Sequence, residues 1–215
     1  MTQKDVAQQG LLLKFGFVVI ALLALTFLSW QGLKAPPEQN NICRLFSSHP
    51  AWYWAAQDSQ RKWGIPISEQ MAFIEKESHF RAAAAPGHRR LLGFIPWSRA
   101  SSASGYMQAL DSTWQMYLHN THQTRASRSD FSNATDFIGW YLHFLDVRYG
   151  VRADDVYHNY LLYHEGPGGY LHRSYLRQPW LMLYAKRVER QARRYHAQLL
   201  FCGRRLPKKP WWRFW

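Results

Sequence analysis

Polar positions all but vanish near the start of the chain. FGFVVIALLALTFLSW, residues 15–30, carries no charge, and the wider run 11–33 is interrupted only by Lys14 and Gln31. About 20 apolar residues cross a bilayer, so the pattern predicts an uncleaved transmembrane anchor over 11–33 behind a short N-terminal segment, 1–10. The alternative is a cleaved signal peptide, but LSWQGLKAPPEQNN offers no clean small-x-small site. Either way the remainder is exported. Lys4 and Lys14 favour an inside N-terminus, which implies a single-pass protein of the inner (cytoplasmic) membrane with its folded domain in the periplasm or outside. KAPPEQNN then reads as an extended linker, 34–42, because paired prolines lock φ and remove donors.

From there the apolar spacing is helical. PAWYWAAQDSQRKWG opens on Pro50 and stops at Gly64, and Ser68 is placed to cap the next helix. Residues 133–149 are apolar around much of their circumference and end at Gly150, which suits a central helix. A helix over 154–163 ends at HEGPGG, and a last one over 179–200 sets Leu181, Leu183, Val188 and Leu199 against a dense basic face. No alternating strand pattern and no internal repeat appear. The prediction is a mostly α domain over 43–203, followed by a basic and aromatic tail, 204–215.

The excess of 27 Lys+Arg over 14 Asp+Glu points to an anionic surface or polymer as partner: membrane lipid, nucleic acid or acidic glycan. Export argues against nucleic acid. The tail RRLPKKPWWRFW sets four aromatics among its last five residues beside basic ones, a composition that favours a bilayer interface. Cys43 and Cys202 are the only cysteines, they flank the domain, and export places them where disulfides persist, so one bridge is expected. The histidines imply no metal: His164-Glu165 has Gly168 where an HExxH motif needs its second imidazole, and His119 and His122 lack a third ligand.

Chemistry enters at IEKESHF, residues 74–80. At about 100° per residue, Met71, Phe73, Ile74 and Phe80 share one arc with Glu77 near its middle, and Glu75, Lys76 and His79 fall opposite. Glu77 is therefore expected against apolar side chains, where desolvation raises its pKa toward that of a general acid. A buried carboxylate paired with arginine to stabilise a core is the competing interpretation of that residue alone.

Four landmarks follow in order: Glu77-Ser78-x-Phe80; Gly105-Tyr106-Met107-Gln108; Asn133 with Gly139 and Tyr141-Leu142; and Tyr163-His164-Glu165-Gly166-Pro167-Gly168. Together they resemble the "ESxF", "GLMQ", "NxxxxxGxYL" and "AYNxGxG" motifs of the soluble-type lytic transglycosylases, relatives of goose-type lysozyme, over residues 66–170. The resemblance implies a lysozyme-like helical domain acting on peptidoglycan without a cofactor. It implies that Glu77 cleaves the MurNAc-GlcNAc β-1,4 bond as acid and then base, closing a 1,6-anhydromuramyl ring. A single carboxylate suffices there, whereas ordinary glycosidases use a pair.

By the same resemblance Ser78 orients the site, Tyr163 reaches the catalytic carboxyl, and Met107 and Gln108 line the sugar cleft. Tyr106 and His164 depart from the motifs and Glu165 replaces a small residue, all at positions expected to meet substrate. Glu165 is also a candidate second carboxylate; Asp111 is another, although DST suggests a helix cap. A hydrolytic muramidase and a non-catalytic wall-binding scaffold remain as alternatives. The segment 87–104, GHRRLLGFIPWSRASSAS, is longer than the family spacing by roughly a dozen residues and suits a lid, a partner site or a membrane contact. No protein complex is named by these motifs.

Overall fold

The computed structural model describes residues 18–20, 34–85, 88–91, 95–99 and 101–212. The chain divides into two units, 1–35 and 36–215. In the first, residues 18–20 are helical. The expected anchor over 11–33 otherwise lies outside the described residues. Among the described residues, no helix is long and apolar enough to cross a membrane.

The second unit is built from helices α1 (Ile42–Ser48), α2 (Pro50–Trp63) and α3 (Ile67–Ser78), a hairpin of β1 (His88–Leu91) and β2 (Ile95–Arg99), then α4 (Asp111–Thr121), α5 (Phe131–Tyr149), α6 (Val156–Leu171) and α7 (Pro179–Cys202). Single 3-10 turns cover Ser174–Arg177 and Gly203–Arg205. The helix ends follow local chemistry. Asn41 accepts from the Arg44 amide at 3.1 Å to start α1, and Asp130 accepts from the Asn133 amide at 2.9 Å to start α5. Pro50 opens α2, where its missing N–H costs nothing.

Two expected caps are displaced. α3 begins at Ile67, whose amide donates to Gln60 Oε1 at 2.9 Å, so a side chain from the preceding helix satisfies the donor and Ser68 is buried inside the first turn. Asp111 follows the N-cap position of α4, held by Leu110, and pairs with Arg128 at 2.7 Å. The helix expected to end at HEGPGG instead continues to Leu171. It is broken at Gly166 (φ 67°, ψ 170°), a conformation open essentially to glycine, and restarts with Pro167.

The hairpin corrects the expectation of no strands. β1 and β2 pair antiparallel, with a register irregularity between Arg89 and Arg90. A two-stranded ribbon has only edges, so Pro96 is tolerated opposite Arg90 where a central strand would reject it.

α3 is the central helix. Every residue from Ile67 to Ile74 is buried, and the helix packs against α7 while α2 packs against α5. The buried apolar residues of the core run from Ile42 to Leu206. Cys43 and Cys202 are joined, with Cα atoms 6.0 Å apart, so the first and last helices of the unit are stapled together. Residues 36–215 thus carry their own core and their own cross-link, and form a self-contained folding unit.

Candidate active site

Glu77 occupies the penultimate position of α3, and the backbone turns sharply just after it. His79 (φ 53°) and Phe80 (φ 59°) both adopt the left-handed conformation, at a cost of about 1–3 kcal/mol each. Burial of Phe80 offsets this: its ring stacks on Trp52, which also stacks on Phe131 at 4.2 Å. The aromatic stack ties the end of α3 to α2 and α5 and so fixes where Glu77 points.

The loop before α4 supplies the opposite wall. Gly105 sits at φ 76°, and a Cβ there would lie 2.2 Å from the carbonyl oxygen of Arg128, so glycine is required both by conformation and by space. That close approach lets the Tyr106 amide donate to the same carbonyl at 3.1 Å. Gln108 (φ 48°) folds back, its amide donating to the carbonyls of Ala84 at 2.7 Å and Gly105 at 2.8 Å.

α6 closes the third side. Glu77, Ala103, Gln108, Ala109, Leu110, Thr113, Tyr141, Tyr163 and His164 line a cleft of about 250 Å³. Among its described lining residues, Glu77 is the one carboxylate.

Glu77 is half-buried. Desolvation raises its pKa from 4.5 to about 7, against a hydrogen bond with Tyr160 and the positive charge of Lys76, which pull it down. The phenols around it are held neutral by burial and by the carboxylate: the pKa values of Tyr160 and Tyr163 both rise well above 10. Tyr141, edge-on to Tyr163 at 5.6 Å, is pushed up to about 12 by burial. The result is a carboxyl close to half-protonated at neutral pH, beside phenols that donate but do not ionise. That is the state a general acid and base requires.

Several expected roles are placed differently. Ser78 is fully buried and donates to the Ile74 carbonyl at 3.1 Å, so its hydroxyl serves the helix. Tyr163 lines the cleft, but its phenol donates to the Met107 carbonyl; the phenol bonded to Glu77 belongs to Tyr160, one turn earlier on α6. Tyr106 and Met107 are buried in the core, Tyr106 edge-on to Phe131 at 5.1 Å, and neither lines the cleft. Gln108 and His164 do.

Glu165 lies outside the cleft lining. Ser174, Gln178 (3.0 Å) and His164 (3.3 Å) all bond its carboxylate, and the Ser174 contact above all holds its pKa below the usual range. Its work is to tie α6 to the start of α7.

Sequence reasoning missed Tyr160, Thr113 and a second buried acid, Glu69. The spacing of α6 could have shown the first, since Tyr160 precedes Tyr163 by three residues and His164 by four. Glu69 is fully buried and raised to about 8 by desolvation, with Asn159 donating to it at 3.3 Å. It lies on the same helical arc as Phe73, outside the window that began at Met71. No group of three metal-binding side chains occurs among the described residues.

The family model described as transglycosylase SLT domain matches residues 17–202. The match reaches well beyond the four motifs at 66–170, taking in α1, α2 and the basic α7. Neither the curated proteins nor the solved structures contain a match to this chain.

Proposed function

The chain belongs to the transglycosylase SLT domain family, lytic transglycosylases of the lysozyme-like superfamily that act on peptidoglycan, and on that premise we propose that Glu77 is its single catalytic acid and base. Protonated Glu77 gives its proton to the glycosidic oxygen between N-acetylmuramic acid and N-acetylglucosamine, and the C1–O bond breaks. The carboxylate left behind, stabilised by the Tyr160 hydrogen bond, removes the proton from the muramyl 6-hydroxyl. O6 then bonds to C1, closing the 1,6-anhydro ring and restoring protonated Glu77.

One observation carries the reading: among its described residues the cleft is lined by one carboxylate, whose pKa burial raises to about 7. Water-using glycosidases need a second carboxylate to activate water or attack the sugar. Glu165, one sequence candidate for that role, does not line the cleft and is bonded to Ser174 and Gln178. Mass spectrometry of digested sacculi tests the proposal. Muropeptides one water lighter than their reducing counterparts are expected; reducing ends would make the enzyme a hydrolase, and no release at all would make it a wall-binding scaffold.

We place the catalytic unit at a membrane surface, held by the apolar segment 11–33 and by the tail. The tail is tied down: Trp54 Nε1 donates to the Pro207 carbonyl at 2.7 Å, Lys209 pairs with Asp58 at 2.7 Å, and Leu206 is buried. Trp211 and Trp212 stay 77% and 63% exposed beyond that tether, while Phe201 is 85% exposed at the end of α7. Gln39 and Asn40 are bonded to Tyr195 and Gln198 of the same helix end. The disulfide and these bonds hold the start of the folded unit against the last turns of α7, next to the exposed Phe201, and such aromatics suit a bilayer interface.

A further inference from the structure

α7 exposes a second cluster far from the tail. Trp180 is 50% and Tyr184 38% exposed, with Leu176 and Leu183 exposed beside them. Isolated apolar residues on a surface are ordinary; exposed aromatic rings in mutual contact beside a cleft are less so. This one joins the Glu77 cleft through a single residue. His164 lines the cleft, and its ring lies edge-on to Trp180 with centroids 5.3 Å apart. Trp180 in turn meets Tyr184 edge-on at 6.0 Å.

Cations border the same strip. Lys76, adjacent to Glu77 in sequence, holds its Nζ 4.0 Å from the centre of the Tyr184 ring, and the Arg187 guanidinium is 5.5 Å from the same ring. Of the carboxylates nearby, Glu165 is already bonded to Ser174 and Gln178, and Glu75 is paired with His79. A path of aromatic rings flanked by positive charge thus leads out of the catalytic cleft along α7.

Building on the reading of Glu77 above, we propose that this strip is an outer subsite for the glycan strand. Trp180 stacks against the apolar face of a sugar ring beyond the pair flanking the scissile bond, and Lys76 and Arg187 meet carboxylates of the stem peptide it carries. The chemistry matches on both counts. Pyranose C–H groups suit an aromatic surface as they suit other apolar pockets, and exposed cations attract an anionic peptide in a salt-dependent way. Continuity with the cleft points to the substrate as occupant. Contacts this far from the reacting atoms bind ground and transition state alike, so they lower KM and leave kcat unchanged.

The test uses the full chain carrying Glu77→Gln, which binds without turning over, titrated with long peptide-bearing glycan strands and with a single disaccharide-peptide too short to reach α7. Trp180→Ala is expected to weaken binding of the long strands by about tenfold and to leave the short fragment unchanged, a loss corresponding to one good contact. Arg187→Ala should weaken peptide-bearing strands and spare peptide-free ones. In the active protein Trp180→Ala should raise KM on long strands at constant kcat. Trp180→Leu, which keeps an apolar cover on α7, should reproduce the loss. Equal binding of long strands with and without Trp180, or an equal loss on both lengths, would overturn the subsite. Failure of the parent enzyme to release muropeptides would count against Glu77 while leaving these binding measurements readable.

Discussion

Replacing Glu77 by glutamine should destroy activity and raise stability, and the second effect should depend on pH. The side chain has a pKa near 4.5 when unfolded and about 7 in the fold, a rise caused mainly by burial. Between those values the native state holds a proton that the unfolded chain has released. Stability therefore falls as pH rises from 4.5 and levels off above about 7. At about 1.4 kcal/mol per pH unit, the charged form costs the fold about 3 kcal/mol, an upper figure because Glu77 is only half-buried and solvent screens its charge. Glutamine has nearly the same shape, still accepts from Tyr160 and never ionises.

For a chain of this length a gain of that size raises the melting temperature by roughly 6–10 °C at pH 9. At pH 4 the parent is also neutral there and the two proteins should melt together. Muropeptide release should drop by at least about a hundredfold, the lower end of what a positioned acid and base contributes. Thermal melts at the two pH values, with the disulfide intact, and a muropeptide assay read both effects. Glu75→Gln is the control for activity: Glu75 pairs with His79 at 3.3 Å and does not line the cleft, so muropeptide release should change little. Equal melting of parent and Glu77→Gln at pH 9 would refute the burial argument, and residual activity in Glu77→Gln with none in Glu75→Gln would refute the assignment itself.

Glu69→Gln should also stabilise the protein, the gain growing as pH rises from 4.5 and complete above about 8, because burial raises Glu69 to about 8 and the amide never ionises; unchanged alkaline melting would argue against it. Replacing Cys43 and Cys202 by serine should lower stability by about 2–4 kcal/mol through the long loop they close; both thiols alkylating freely in native, non-reduced protein would show the bridge absent. A chain of residues 36–215 should bind anionic liposomes in a salt-weakened manner, and one ending at Arg204 much less; equal binding by the two would remove the tail from the membrane surface.

The helical wheel pointed to Glu77, which does line the cleft while Glu75 does not, although both side chains are only partly exposed. Proline and glycine likewise marked the starts of α2 and α7 and the ends of α2 and α5, since their backbone constraints act without help from distant residues. The single pair of cysteines left only one possible intrachain bridge. Other features depend on partners far apart in the chain. Whether Tyr106 faces sugar or core depends on Phe131 and Trp52, and Gly105 is indispensable because Arg128 crosses it.

The choice between Tyr160 and Tyr163 as the phenol on Glu77 was settled by where α6 lies against α3, since both residues occupy one helix face. Glu69 was overlooked for a similar reason. The first turns of α3 are covered on every side by other helices, so no face of that segment is solvated and amphipathic patterning says nothing about which acid is buried. Periodicity and chain-breaking residues, which act locally, point to Glu77 and to the places where helices stop. Which side chains surround Glu77, and so how far burial lifts its pKa, follows from how α6 and the loop before α4 pack against the end of α3, contacts between residues far apart in the chain.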